Sequence, residues 1–191
     1  ISVGSTAGVA AARRGECDIA PCHLLDPDTG IYNESLLDES LQLTKGYRRT
    51  QGIVFRKNDT RFKNRSLDDV LETISSDGSL RMVNRNAGSG TRILIDDLLQ
   101  ELRPTGYSFL SRSHHAVATT IKHETADWGV AIESVVDDDL GFLPLSDEEY
   151  DFFIPVDCVH KPAVEKFMAI LNSEAFQSQL DAAGLIRNHL A

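Results

Sequence analysis

The sequence predicts an α/β fold in two lobes, on three observations. Strand-like and helix-like runs alternate along almost the whole chain, the pattern of sheets covered by crossover helices. Two strand–turn–helix starts, at residues 1–14 and 80–99, open what read as two separate units, each with a helix start at a strand's carboxyl end and the two facing a cleft. Extended runs flank the places, near 57–60 and 145–148, where the chain would pass between lobes. That gives residues 1–57 and 147–191 to the first lobe and 58–146 to the second.

Each element has a local reason. Residues 1–3 are a short apolar strand that runs into Gly4-Ser5-Thr6-Ala7-Gly8, with Ser5 or Thr6 as helix cap and Gly15 as the stop. Residues 18–25 form a second apolar run leading to a site loop, and 26–30 are turn chemistry. A short helix is expected over 32–39. Residues 41–57 carry strand formers such as Tyr47, Ile53, Val54 and Phe55. Ser66 with Asp69 predicts a capping box, and Leu67, Val70, Leu71 and Ile74 follow helical spacing to an end at Asp77-Gly78.

The second half repeats the alternation. A strand over 80–83 enters Asn84-Arg85-Asn86-Ala87-Gly88-Ser89-Gly90-Thr91-Arg92, and a helix follows with Ile93, Leu94, Leu98 and Leu99. Residues 107–110 read as a strand, 114–124 as a helix capped by Ser113, and 126–133 as a strand. Two further strands are expected at 140–145 and 150–156, separated by a solvated Asp147-Glu148-Glu149 loop. Pro162 suits the first position of a helix over 162–172, and Gly184 suits the end of one over 173–183.

Composition excludes several classes. With 191 residues, 41% hydrophobic and 25% charged, the chain is globular and can bury a sizeable core. No apolar run approaches the ~20 residues of a membrane span. The net charge of −10 disfavours direct nucleic-acid contact. That charge is uneven. Residues 113–191 hold all of it, whereas 45–92 carry 11 basic and 5 acidic residues, a balance that could steer a small anion to one face. Three cysteines make no disulfide framework and fit a reducing compartment, hence a cytoplasmic expectation. A removed signal peptide would make the protein extracytoplasmic instead. The start at Ile1 reads as a fragment or a trimmed chain.

The strongest motif is 86–92. Unpaired N–H groups at a helix start bind anions with help from the helix dipole. Gly88 and Gly90 admit close approach, Ser89 and Thr91 add hydroxyls, Arg92 adds charge, and Asn86 opens the turn. An ordinary capped turn is the plainer reading of the same residues. The spacing is neither a P-loop nor a nucleophile elbow. Ser5 and Thr6 repeat the device at the first helix start. Adjacent His114 and His115 point to different sides of a helix, so they suit ligand hydrogen bonding or capping better than a metal. Cys17, Cys22 and His23 lack a second pair to complete a zinc site and read as core or loop. Glu133 ends a strand where ligand-facing groups sit, or is a rim carboxylate. Trp128 is expected near the cleft.

Six segments together resemble a known family: Gly4–Gly8 with 18–20 and 23–33, then 84–92, 112–118 and 126–133. The family is the periplasmic-binding-protein-like domain associated with molybdenum metabolism. The resemblance covers nearly the whole chain and implies a two-lobed type II solute-binding fold. It also implies a strand–helix unit before the position of Ile1, so the first strand–helix unit of that fold is expected to be missing from the sequence as given. The implied ligand is a tetrahedral oxyanion such as molybdate or tungstate, held by hydroxyls and backbone N–H groups without catalysis, cofactor or metal. The site residues would be Ser5, Thr6, Asn86, Gly88, Ser89, Gly90, Thr91, Arg92, His115 and Glu133. Such domains occur fused to helix-turn-helix DNA-binding domains or to molybdopterin-biosynthesis domains, so a fused or partner domain is expected, and a homodimer is allowed. Two rivals stand: an accessory domain of a molybdopterin-biosynthesis enzyme, and an interaction module with a vestigial cleft. For catalysis the candidates are His114, His115, Asp127 and Glu133, but no nucleophile–base–orienter set is readable from spacing.

Overall fold

Contacts divide the chain into two units, Ile1–Arg49 with Asp147–Ala191, and Thr50–Ser146. The computed structural model describes residues 4–26 and 28–187, so the strand expected at 1–3 lies outside the described residues. The chain leaves the first unit at Arg49 and returns at Asp147. The first passage thus falls inside a long strand, earlier than the 57–60 region set from sequence.

In unit 1, α1 (Ser5–Arg13) packs on β1 (Ala20–Cys22). Val9 and Ala12 of α1 meet Ala20, Cys22, Leu41 and Phe153 in one core cluster. Phe153 and Ile154 are neighbours on β6 (Leu140–Pro155), so their side chains point to opposite faces. Ile154 therefore joins the other face, with Cys158 and Val164 of α5 (Pro162–Leu171). β1 pairs antiparallel with β6, and β2 (Leu41–Arg56) pairs with β7 (Ile186–Arg187). α6 (Glu174–Ala182) is capped by Ser173, and Gly184 at φ +69° follows its end.

Unit 2 is built on β2, β5 (Trp128–Ile132), β3 (Met82–Arg85) and β4 (Leu110–Ser111). β3 lies parallel to both β4 and β5. β2 enters from unit 1 without the crossover a parallel neighbour needs, and lies antiparallel to β5. The sheet is thus mixed, with both antiparallel and parallel pairs. Alternation sorts the core into two layers. Ile53, Phe55, Met82, Trp128 and Val130 pack against α2 (Leu67–Ser76) and α3 (Gly90–Leu99). Val54, Val83 and Ala131 pack against α4 (His114–Lys122). The capping box of Ser66 and Asp69 is present at the start of α2.

Three expectations need correction. Gly4, not Ser5 or Thr6, caps α1, and no side chain bonds there. The strands expected at 140–145 and 150–156 are one strand, β6, so Glu148 is not in a solvated loop but 1% exposed. The 32–39 helix is only a 3₁₀ turn at Glu34–Leu36.

Candidate functional site

The carboxyl ends of β3 and β4 place two helix starts side by side. Arg85 pairs with Ser111 in register, and the Asn86 N–H donates to the Ser111 carbonyl at 3.2 Å. Beyond those residues, Ser89 caps α3 and Ser113 caps α4. Ser89 Oγ accepts from the Arg92 N–H at 3.2 Å and donates to the Asn86 carbonyl at 3.0 Å. Ser113 Oγ accepts from the Ala116 N–H at 3.1 Å. The turn between β3 and α3 is closed by Gly88 at φ +82°, a left-handed conformation that favours glycine. Gly90 and Thr91 are then the first two helical residues, whose N–H groups have no intrahelical acceptor.

Positive charge gathers at this edge. Neither α3 nor α4 has an acidic residue in its first turn. Arg85, 7% exposed, reaches from the end of β3 to α4, where its Nη1 lies 2.9 and 3.1 Å from the two ring nitrogens of His114. Thr91 is 1% exposed, and its hydroxyl is buried without a hydrogen-bond partner. A buried hydroxyl without a partner is costly, and it lies in the first turn of α3.

The structure brings Asn86, Gly88, Ser89, Gly90 and Thr91 to one turn, with α4's His115 exposed in the neighbouring helix start. Glu133 lies exposed just past β5, on the same carboxyl edge. Arg92 differs from its expected part. Its Nε lies 2.8 and 2.9 Å from the two Asp96 carboxylate oxygens, Nη2 donates to the Tyr107 hydroxyl at 2.7 Å, and Nη1 donates to the Arg85 carbonyl at 3.2 Å. With Asp96 neutralising it, Arg92 braces the turn and is not a free cation acting at a distance. Burial pushes the Asp96 carboxyl up, but the Tyr107 hydroxyl and Arg92 more than offset it and hold it below its ordinary value. Sequence reasoning missed Arg85 and Ser113 as parts of this site. Arg85 sits two residues beyond the expected strand end, and only the register of β3 with β4 shows that it points the strand at the helix start.

Ser5 and Thr6 belong to unit 1, whereas this cluster belongs to unit 2. Ser5 is buried and its Oγ accepts from the His23 N–H at 3.3 Å, while Thr6 is exposed. Trp128 is fully buried, paired with Met82 at the amino end of β3, and so lies at the other end of the sheet from the helix starts. A cavity of about 610 Å³ occupies that other end, lined by Arg56, Lys57, Asp59, Arg61 and Lys122 among others. Three of its cations are paired: Arg56 and Arg61 bind Asp127 at 2.7 and 3.2 Å, and Lys122 binds Asp137 and Asp139. This cavity is therefore not where the donor groups converge. Among the described residues no group of three or more His, Cys, Asp or Glu side chains could hold a metal ion.

Residues 1–172 match the family described as the PBP superfamily domain. The chain belongs to the PBP superfamily. Its fold is the α/β fold of two-lobed type II periplasmic-binding proteins. A relative in Bacillus subtilis, the uncharacterized protein YvgK, is 30% identical over 178 residues, and the match takes in 87% of this chain. The chain spans 55% of the length of YvgK. Among solved structures, a Clostridium perfringens substrate-binding protein with bound phosphate superposes with a TM-score of 0.75 at 16% identity. That match covers 98% of this chain and 86% of the other. The tungstate ABC transporter structure from Geobacter sulfurreducens gives a TM-score of 0.63 at 14% identity, covering 95% and 84%. Identities this low show the PBP-superfamily fold alone. No helix among the described residues is long and apolar enough to cross a membrane.

Proposed function

We propose that this chain binds a small tetrahedral oxyanion of the molybdate or tungstate kind, without catalysis, at the paired starts of α3 and α4. One observation carries the reading. Two helix starts meet at one sheet edge, with buried Arg85 between them, no acidic residue in either first turn, and the unpartnered Thr91 hydroxyl inside one of them. Oriented N–H donors and a fixed positive charge select for anions. A tetrahedral oxyanion offers each donor its own oxygen. Gly88, Ser89, Gly90, Thr91 and His115 would make or admit the contacts, Asn86 would shape the turn, and Arg92 would brace it. The phosphate and tungstate named in the two structural neighbours belong to the same chemical class and support the reading. In molybdenum metabolism such a domain would serve as a sensor or ligand-binding module, reporting occupancy to an attached or partner domain.

Isothermal titration with molybdate, tungstate, sulfate and phosphate tests this. Saturable binding of molybdate or tungstate is expected. Ser89→Ala should weaken it by about 5- to 30-fold, the worth of one hydrogen bond to a charged group of about 1–2 kcal/mol. A folded protein that gives no binding heat with any of the four anions ends the proposal.

A further inference from the structure

We propose that Cys158 and Lys161, in unit 1, are a modification site: a peroxide joins Sγ to Nζ as a reversible sulfenamide cross-link, with Asp18 holding the two groups together beforehand. Both reacting atoms meet on one carboxylate oxygen. The Lys161 ammonium donates to Asp18 Oδ1 at 2.7 Å, and the Cys158 thiol donates to the same oxygen at 3.4 Å. The backbone fixes the pair as well. Cys158 ends a 3₁₀ turn at Val156–Cys158, the Lys161 N–H donates to the Cys158 carbonyl at 3.0 Å, and Pro162 then opens α5. All three residues belong to unit 1.

The thiol stands between an apolar cluster and a polar pair. Cys158 is 7% exposed and packs with Ile154 and Val164. Its polar neighbours Asp18 and Lys161 have side chains 46% and 50% exposed, so the groups that meet the sulfur are themselves open to a small oxidant. Asp18 and the Cys158 sulfur hold the Lys161 ammonium above the ordinary lysine value, which keeps the amine masked at rest. The other two thiols are poorer targets. Burial pushes Cys17 and Cys22 up, and the charges of Asp18 and Glu16 add to it at Cys17. A thiol that stays protonated is a weak nucleophile.

The chemistry takes two steps and one hydrogen peroxide. In the first, the thiol proton passes to Asp18, and the sulfur attacks one peroxide oxygen. The O–O bond breaks, and the hydroxide released takes up the proton as water. Sulfur is oxidised by two electrons to the sulfenic acid, and the peroxide is reduced by two. In the second, the Lys161 ammonium gives one proton to Asp18 and solvent, and the freed nitrogen lone pair attacks the sulfur. The S–O bond breaks, and hydroxide leaves with a second proton from the nitrogen as water. The product is Cys–S–NH–Lys. Sulfenic acids condense with backbone nitrogen by the same step. An added thiol reverses it, forming a disulfide with Cys158 and releasing the amine. The cross-link removes the lysine's charge and its ion pair with Asp18, so the segment leading into β1 loses that tie to the start of α5.

Folded protein treated with hydrogen peroxide and weighed intact tests this. The parent should lose two hydrogens, and dithiothreitol should restore them. A disulfide gives the same mass, so tandem mass spectrometry of the unreduced protein decides between them. The peptide carrying residues 158–161 should yield no backbone fragments between Cys158 and Lys161. Lys161→Arg keeps a cation beside Asp18 but has no primary amine. It should lose the cross-link altogether and accumulate a Cys158 sulfenic acid that dimedone traps. Cys17→Ser should cross-link as the parent does. A bond from Cys158 to Cys17 or Cys22 overturns the proposal, as does an equal loss of two hydrogens in Lys161→Arg. So does a bridge that keeps an oxygen between sulfur and nitrogen. Folded parent protein that stays unmodified, or that goes only to sulfinic acid, overturns it too.

Discussion

Glu148 concentrates the chemistry of unit 1 in one side chain. Burial pushes its carboxyl up, yet His23 and Arg49 together outweigh burial and hold it below the ordinary carboxylate range. Removing the charge leaves Arg49 buried without it, so Glu148→Gln should destabilise the protein by about 3–5 kcal/mol, read as a shift in denaturant midpoint. A loss below about 1 kcal/mol would show that Arg49 finds water instead. This residue was not legible in the sequence. Within Asp147-Glu148-Glu149 it looks like its neighbours, and only the continuity of β6 turns it inward. Ser89 was legible, because a hydroxyl before a helical run after a glycine is a cap by chemistry alone. Asp127 was weighed in the sequence as a reactive group and is a structural one. It accepts from the Arg81 N–H at 2.9 Å and from Arg56 and Arg61 at 2.7 and 3.2 Å.

At the scale of elements, glycines at positive φ carry the turns that feed the sheet of unit 2. Gly88 (φ +82°) opens into free space, so Gly88→Ala meets only the left-handed backbone cost, about 1–2 kcal/mol. Gly106 (φ +86°) has the same backbone, and an added Cβ would also collide with the Met82 carbonyl. Gly106→Ala should therefore lose roughly twice as much stability or more, compared by thermal melts of the two variants. Equal losses would mean that the loop before β4 yields freely. Most elements were readable because their signals are local: the capping box of α2, Pro162 opening α5, Gly184 after α6. What was not readable depends on pairing partners. The sequence of 140–155 contains Pro144 and an acidic run that break the apolar alternation of a strand, and β6 forms because it has neighbours to pair with.

Across the whole molecule, each unit has its own core, and acid should reach unit 2 through its buried carboxylates. Burial pushes Asp127 up, but the Arg81 N–H with Arg56 and Arg61 outweighs it, and Asp59 is likewise held low by Arg61 against its burial. Carboxyls depressed in the folded state contribute stability that is present above their unfolded value, about 3.9. That stability is lost as pH falls through their folded values. Trp128 is the one tryptophan and is buried in unit 2, so its fluorescence reports that unit's unfolding. The midpoint it reports should drop steeply below about pH 4, and less steeply in Asp127→Asn. Because Trp128 sits at the end of the sheet away from the starts of α3 and α4, the same signal should change little on anion binding. The oxyanion reading itself rests on where donors converge, and a heavy tetrahedral anion can be located directly. Crystals soaked in tungstate and measured at the tungsten absorption edge should show an anomalous peak within hydrogen-bond reach of Ser89, Gly90 and Thr91. A peak seated instead among Arg56, Arg61 and Lys122, or no ordered tungsten at all, would contradict the account.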